Sequence, residues 1–134
     1  MKELWFDIDQ RSSIPIYQQL VDKIKEAVAR GILSTGEKLP SVRELAARIA
    51  INPNTIAKAY QELEREGVIE TLRGRGTFVA LWKSRVNEEA KRRVIREMTE
   101  KMLVEAFYLG LPREELLEII EETVREWYRE RGGD

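Results

Sequence analysis

Residues 41–67, SVRELAARIAINPNTIAKAYQELEREG, leave the chain few ways to fold. Ser41, with Glu44 three residues later, is the capping-box pattern that starts a helix. Val42, Leu45, Ala46 and Ile49 then fall on one helical face. Only a short step further, Asn52-Pro53-Asn54 combines a turn signal with a second helix start. As N-cap, Asn52 offers its side-chain oxygen to an orphan backbone N–H. As N1, Pro53 presets the helical φ and drives the residue before it out of the α region, which an N-cap requires. Asn54 and Thr55 follow at N2 and N3. Ile56, Ala59, Tyr60 and Leu63 form the apolar face, and Gly67 stops the helix. The turn signal and the helix signal are one device, and the result is a helix-turn-helix.

The flanks extend this grammar. Pro15 suits the first turn of a helix whose inward face is Ile16, Leu20, Ile24, Ala27 and Val28, with Gly31 as candidate C-cap. LSTGEKLP is turn-rich. VIETL and GTFVAL are strand-like runs separated by RGRG, a hairpin with glycine available for positive φ. The opening LWFDID alternates apolar and acidic residues, as an edge strand or a folded-back arm would. After Trp82 the character changes. Val86, Ala90, Val94, Met98, Met102 and Ala106 recur every four residues, joined by Ile95 and Phe107. LGLP interrupts them, Gly110 ending one helix and Pro112 beginning the next, which carries Leu116, Leu117, Ile120, Val124 and Trp127. The expected fold is mainly α with a small β-hairpin: a winged helix-turn-helix over residues 1–82, then an αα-hairpin tail over 83–134.

Composition removes whole classes of function. The 134 residues contain no Cys and no His, so thiolate chemistry, disulfides and the commonest general base and metal ligand are all missing. Any catalysis would fall to carboxylates and lysines, and the Glu pairs at 114–115 and 121–122 read as an exposed helix face. No enzyme, metal or cofactor is expected. No apolar run approaches the ~20 residues of a membrane span, and MKELWFDID is no signal peptide, so a cytoplasmic protein is expected.

The net charge of −1 does not announce a nucleic-acid partner, but its distribution does. Residues 38–58 hold Lys38, Arg43, Arg48 and Lys58 against Glu44, a net +3. Residues 73–93 hold Arg73, Arg75, Lys83, Arg85, Lys91, Arg92 and Arg93 against Glu88 and Glu89, a net +5. Residues 59–72 hold Arg65 against Glu62, Glu64, Glu66 and Glu70, a net −3. The second helix of a helix-turn-helix meets base edges with its N-terminal residues. There Asn54 could pair with adenine and Thr55 could bond a base or touch a thymine methyl. Lys58, a turn further on, suits a phosphate or a base. Arg73 and Arg75, on a narrow glycine-bearing wing, could enter the minor groove. Each feature also has a plainer use, as helix cap, turn or solvated surface.

The run from Pro15 to Val79 resembles the winged helix-turn-helix of the GntR family. GILSTGEKLPSVRELA, NTIAKAYQEL, GVI and GRGTFV carry the resemblance, and the short two-helix tail, with FDID and NPNT, is similar to the YtrA subgroup. The resemblance implies a homodimeric regulator, usually a repressor, on a palindromic operator of double-stranded DNA. By position, Arg43 in PSVREL matches the family's DNA-contacting arginine, Asn52 to Thr55 occupy the recognition-helix start, and Arg73 and Gly74 occupy the wing. Ser41, at the cap beside Arg43, completes the candidate DNA-binding set with Pro53, Lys58 and Arg75. Many members carry Arg within or just after this helix start, where Ala57 and Lys58 stand here. The family's base preferences therefore do not transfer.

The tail's apolar stripes either pack back on the winged domain as core or face a second subunit. Two helices cannot bury both stripes against each other, so the tail is expected to pair two subunits. Trp127, Tyr128 and Phe107 are the candidates to line a small-molecule effector site, although aromatics at helical spacing more often form core. The competing reading is a winged-helix module that binds protein and no DNA.

Overall fold

The structure, a computed structural model, describes residues 7–81 and 87–132. The start of the arm, Leu4 to Phe6, and the junction from Trp82 to Val86 lie outside the described residues. The chain divides into two units, Met1–Trp82 and Lys83–Asp134.

In the first unit the element order is α1 (Ile16–Ala29), β1 (Lys38–Leu39), α2 (Val42–Ile49), α3 (Pro53–Arg65), β2 (Ile69–Leu72) and β3 (Gly76–Val79). Helix α1 begins one residue later than the first-turn position suggested for Pro15, which is its N-cap with ψ 145°. Having no side-chain acceptor, Pro15 works through its carbonyl, which accepts from the amides of Gln18 and Gln19. Gln19 also folds the preceding segment back. Its amide nitrogen donates to the carbonyls of Asp9 and Ile14 at 2.9 and 2.8 Å, and its Oε1 accepts from the Asp9 amide. Ile8 reaches the core from this segment.

The core collects around α3, which packs on α1, α2 and β2. Leu20 and Ile24 from α1, Leu45 from α2, and Ile56, Ala59 and Leu63 from α3 are fully buried. Ile69 and Val79 seal the sheet side. Each apolar face expected from periodicity is thus confirmed, with Val42 and Ile49 half-buried at its edge. Val21 is buried as well, because a helix covered on two sides needs a wider stripe than one face.

The sheet has one strand more than expected. β2 and β3 form the hairpin, pairing Ile69 with Val79 through Leu72 with Gly76, and β1 adds antiparallel to the other edge of β3. Two residues are too few to show alternation, so Lys38–Leu39 reads locally as part of a turn. Its strand state comes from a distant partner, with Lys38 opposite Phe78 and Leu39 opposite Thr77.

Helices α1 and α3 close on Gly31 and Gly67, whose amides and those of the next residues turn back onto the last helical carbonyls. Helix α2 closes differently. Its C-cap, Ala50, has φ 55° and ψ 46°, and among the described residues it is the one non-glycine with positive φ. An L-residue there costs about 1–2 kcal/mol.

In the second unit, α4 (Glu88–Tyr108) is capped by the Asn87 side chain, which accepts the Ala90 amide at 2.8 Å. It ends at Leu109-Gly110, and Pro112 is the N-cap of α5 (Arg113–Glu130). The two helices have no extended backbone contact along their lengths. Ala106 and Leu116 are buried, whereas Val94, Ile95, Met98, Leu103 and Phe107 are exposed. Among the described residues no helix is long and apolar enough to cross a membrane.

Replacing Ala50 with Gly removes the left-handed penalty but restores chain entropy to the unfolded state. Ala50→Gly is expected to raise unfolding free energy by about 0.5–1 kcal/mol, read as a higher urea midpoint at unchanged m-value.

Candidate nucleic-acid interface

The start of α3 separates two asparagines that look alike in the sequence. Asn52 is committed: its Oδ1 accepts the Asn54 amide at 2.8 Å, and its carbonyl takes the amides of Thr55 and Ile56. Pro53 follows at N1 as expected. The Asn54 side chain is exposed and has no partner among the described residues. Thr55 is half-buried beside it. The first turn of α3 carries no acidic residue, unlike those of α2, α4 and α5. Its positive end is therefore left uncompensated, the arrangement that attracts an anion.

At the start of α2 the capping box is complete. Ser41 Oγ accepts the Glu44 amide at 3.1 Å, and the Ser41 amide donates to Glu44 Oε1 at 2.9 Å. The Ser41 hydroxyl hydrogen is not used by the cap. Arg43 is exposed, one residue into the helix. The hydrogen bond from the Ser41 backbone holds the Glu44 carboxyl below the usual carboxylate range, with the Ser41 side chain and the charges of Arg48 and Lys38 adding to it.

The two helices are tied by Tyr60. Its hydroxyl donates to the Pro40 carbonyl at 2.7 Å, in the buried interior, so the residue before the α2 cap is fixed to the middle of α3. Burial first, and then the nearby Glu44 charge, push the Tyr60 phenol well above its ordinary value. It remains a donor throughout the neutral range.

The wing is set by backbone geometry. The Arg75 amide donates to the Leu72 carbonyl at 2.9 Å, closing a turn with Gly74 third at φ 77°. A type II turn needs that positive φ at its third position. Arg73 and Arg75 flank Gly74 and are exposed. Gly76 is favoured by its φ of 122°; a Cβ there would stand 2.9 Å from Lys38 Cε, the far end of a flexible side chain that could move aside. Lys38 therefore runs diagonally from its place opposite Phe78 toward the wing tip. Sequence reasoning counted Lys38 in a charge total without seeing this; only the register of β1 on β3 shows it.

Lys58 does not extend freely from α3. Its Nζ lies 3.9 Å from the centroid of the Tyr17 ring. The fold thus gathers the α2 start, the α3 start and the wing into one unit, through Tyr60–Pro40 and the β1–β3 pairing. A shallow depression lined by Glu37, Lys38, Leu39, Pro40, Glu44 and Arg48 adjoins α2. Its carboxylates accept the Ser34 and Ser41 amides. Among the described residues no acidic cluster could hold a metal ion. In the tail, Phe107 is exposed and meets Tyr108 edge to face at 5.2 Å. Of the other two aromatics expected to line an effector site, Trp127 is half-buried and Tyr128 is exposed.

The pattern of the bacterial regulatory proteins of the gntR family matches residues 16–79. The HTH-type transcriptional repressor YtrA of Bacillus subtilis (strain 168) is 50% identical over 115 residues, which cover 86% of this chain and 88% of that protein. A transcriptional antiterminator from Listeria monocytogenes EGD-e superposes with a TM-score of 0.76 at 43% identity, covering 91% of each chain. The DNA-binding domain of AraR, solved in complex with operator ORX1, superposes with a TM-score of 0.50 at 28% identity, covering 56% of this chain and 93% of that one.

The folded-state pKa of Glu44 lies below its ordinary value of 4.5. Its stabilising contribution is therefore complete above about pH 4.5 and disappears as pH falls through the folded value. The stability gap between wild type and Glu44→Gln, followed by denaturant titration, is expected to narrow on acidification and stay constant from pH 6 to 8.

Proposed function

Because the chain belongs to the gntR family of bacterial regulatory proteins and is a YtrA-type member of it, we propose that it represses transcription by gripping a palindromic operator as a homodimer. Its relatives are transcriptional regulators rather than enzymes. In this reading the start of α3 enters the major groove, the 73–75 turn lies at the minor groove, and the protein works in the cytoplasm beside the DNA. The observation that carries it is the division between the two asparagines. With Asn52 spent on the cap, the Asn54 amide is left open at a helix start that has no acidic residue in its first turn. An amide so placed can meet adenine bidentately. The exposed Arg43, Arg73 and Arg75 supply the phosphate and groove contacts around it, and Ser41 can donate to a phosphate.

The homodimer rests on the tail. Val94, Ile95, Met98 and Leu103 on α4, with Leu117 and Val124 on α5, are each 46–62% exposed. An uncovered apolar surface of this kind marks an interaction site. Two-fold pairing would cover both copies with one set of residues and place two α3 helices on two half-sites. Any effector would bind at the tail, with Phe107, Trp127 and Tyr128 as the candidate lining.

The decisive measurement is a fluorescence-anisotropy salt series on the DNA upstream of the protein's own gene, beside a random duplex. Affinity for both should fall steeply with salt, and the upstream DNA should bind more tightly. Binding no better than to the random duplex at every salt concentration would refute the repressor reading and leave the protein-interaction module. Asn54→Ala should cost roughly 1–3 kcal/mol on the specific DNA and almost nothing on the random duplex. In light scattering the full chain should run as a dimer, and an Ile95→Glu/Met98→Glu double variant as a monomer; a dimeric variant would remove the tail from the interface.

A further inference from the structure

Lys58 is exposed on the second turn of α3, yet its ammonium is held at 3.9 Å from the centre of an aromatic ring belonging to another helix. A cation is attracted to a ring face within ~6 Å, so the contact is well inside range. The ring belongs to Tyr17, in the first turn of α1. Tyr17 is half-buried and packs on the common core, which fixes the ring before any ligand arrives. Among the described residues Lys58 has no carboxylate partner, so the ring is what restrains it. A ring face occupies one side of an ammonium, and a lysine has three N–H donors. The remaining donors stay available to an anion. A lysine restrained in this way gives up less rotamer freedom on meeting that anion than one moving freely in solvent.

We propose that Tyr17 is a positioning residue for DNA binding: its ring holds the Lys58 ammonium beside the start of α3, ready for a backbone phosphate. This rests on the reading of α3 as the DNA-facing helix, and it adds α1 to a grip otherwise made by α2, α3 and the wing. Tyr17 reads no base and contributes through Lys58 alone. The contact therefore acts equally on operator and non-operator DNA.

Two measurements on the full chain test it. Without DNA, NMR of the Lys58 ε-methylene should show an upfield ring-current shift in the wild type and in Tyr17→Phe, and an ordinary shift in Tyr17→Leu. In anisotropy titrations on upstream and random DNA, Tyr17→Phe should bind as the wild type does. Tyr17→Leu should bind roughly two- to five-fold more weakly on both DNAs, the range of an exposed cation–π contact. Lys58→Ala should lose at least as much, with the log–log salt slope smaller by about one. The double variant Tyr17→Leu/Lys58→Ala should be no worse than Lys58→Ala. Because Tyr17 also packs on the core, 3,5-difluorophenylalanine at position 17 serves as a volume-conserving control that weakens the ring face, and it too should lower affinity. The proposal is overturned by a wild-type Lys58 with no ring-current shift, by Lys58→Ala binding unchanged, by losses that multiply in the double variant, or by unchanged binding of the fluorinated protein. A wild type that binds no DNA, with the ring shift present, defeats the α3 reading itself and takes the proposal with it.

Discussion

The first unit depends on one buried hydrogen bond, from the Tyr60 hydroxyl to the carbonyl of Pro40. Tyrosine suits this place for two reasons. Its ring fills the core between α2 and α3, and its hydroxyl satisfies a carbonyl that lies between β1 and the α2 cap, outside both ladders. Left alone in the interior, that carbonyl would cost about 1–3 kcal/mol. The bond also sets geometry. Pro40 directly precedes Ser41 and follows Leu39, which pairs with Thr77 on the wing strand. A single donor on α3 therefore fixes the α2 start directly and the wing at one remove. The exposed Arg43, Arg73 and Arg75 take their relative positions from a hydrogen bond in the buried interior.

Much of this was legible because the signals are local. Periodicity found the faces of α1, α2 and α3, and the capping box at Ser41 and the Asn52-Pro53 start appear as read. What escaped depends on partners far along the chain. β1 is a strand only because β3 lies beside it. Lys38 lies against Gly76 only through that pairing, and Lys58 meets Tyr17 across 41 positions of sequence. Neither contact leaves a pattern in its own neighbourhood. The roles of Asn52 and Asn54 were not separable either, because both are good turn and cap residues. Their difference is which side chain meets the backbone.

The tail shows the reverse case. Its helices were plain from the four-residue spacing, and their ends at Gly110 and Pro112 were equally plain. The same stripes in α1 and α3 are buried, whereas in α4 and α5 most of these residues remain open. Amphipathic spacing specifies that a face is apolar and leaves unspecified what covers it. The short loop at 109–112 joins the helix ends, and the buried residues of the tail, Ala106 and Leu116, stand on either side of it.

Ala50 has a consequence for stiffness. Glycine in the left-handed region has a broad well, whereas alanine has a narrow one bounded by its own Cβ. The joint between α2 and α3 is thus a hinge with little play, held at a conformational cost that glycine would avoid. Part of that cost is offset, because alanine has less chain entropy to lose on folding than glycine. In return the angle between the two helices is decided during folding, and a ligand spanning both would have no bending of that joint left to suppress.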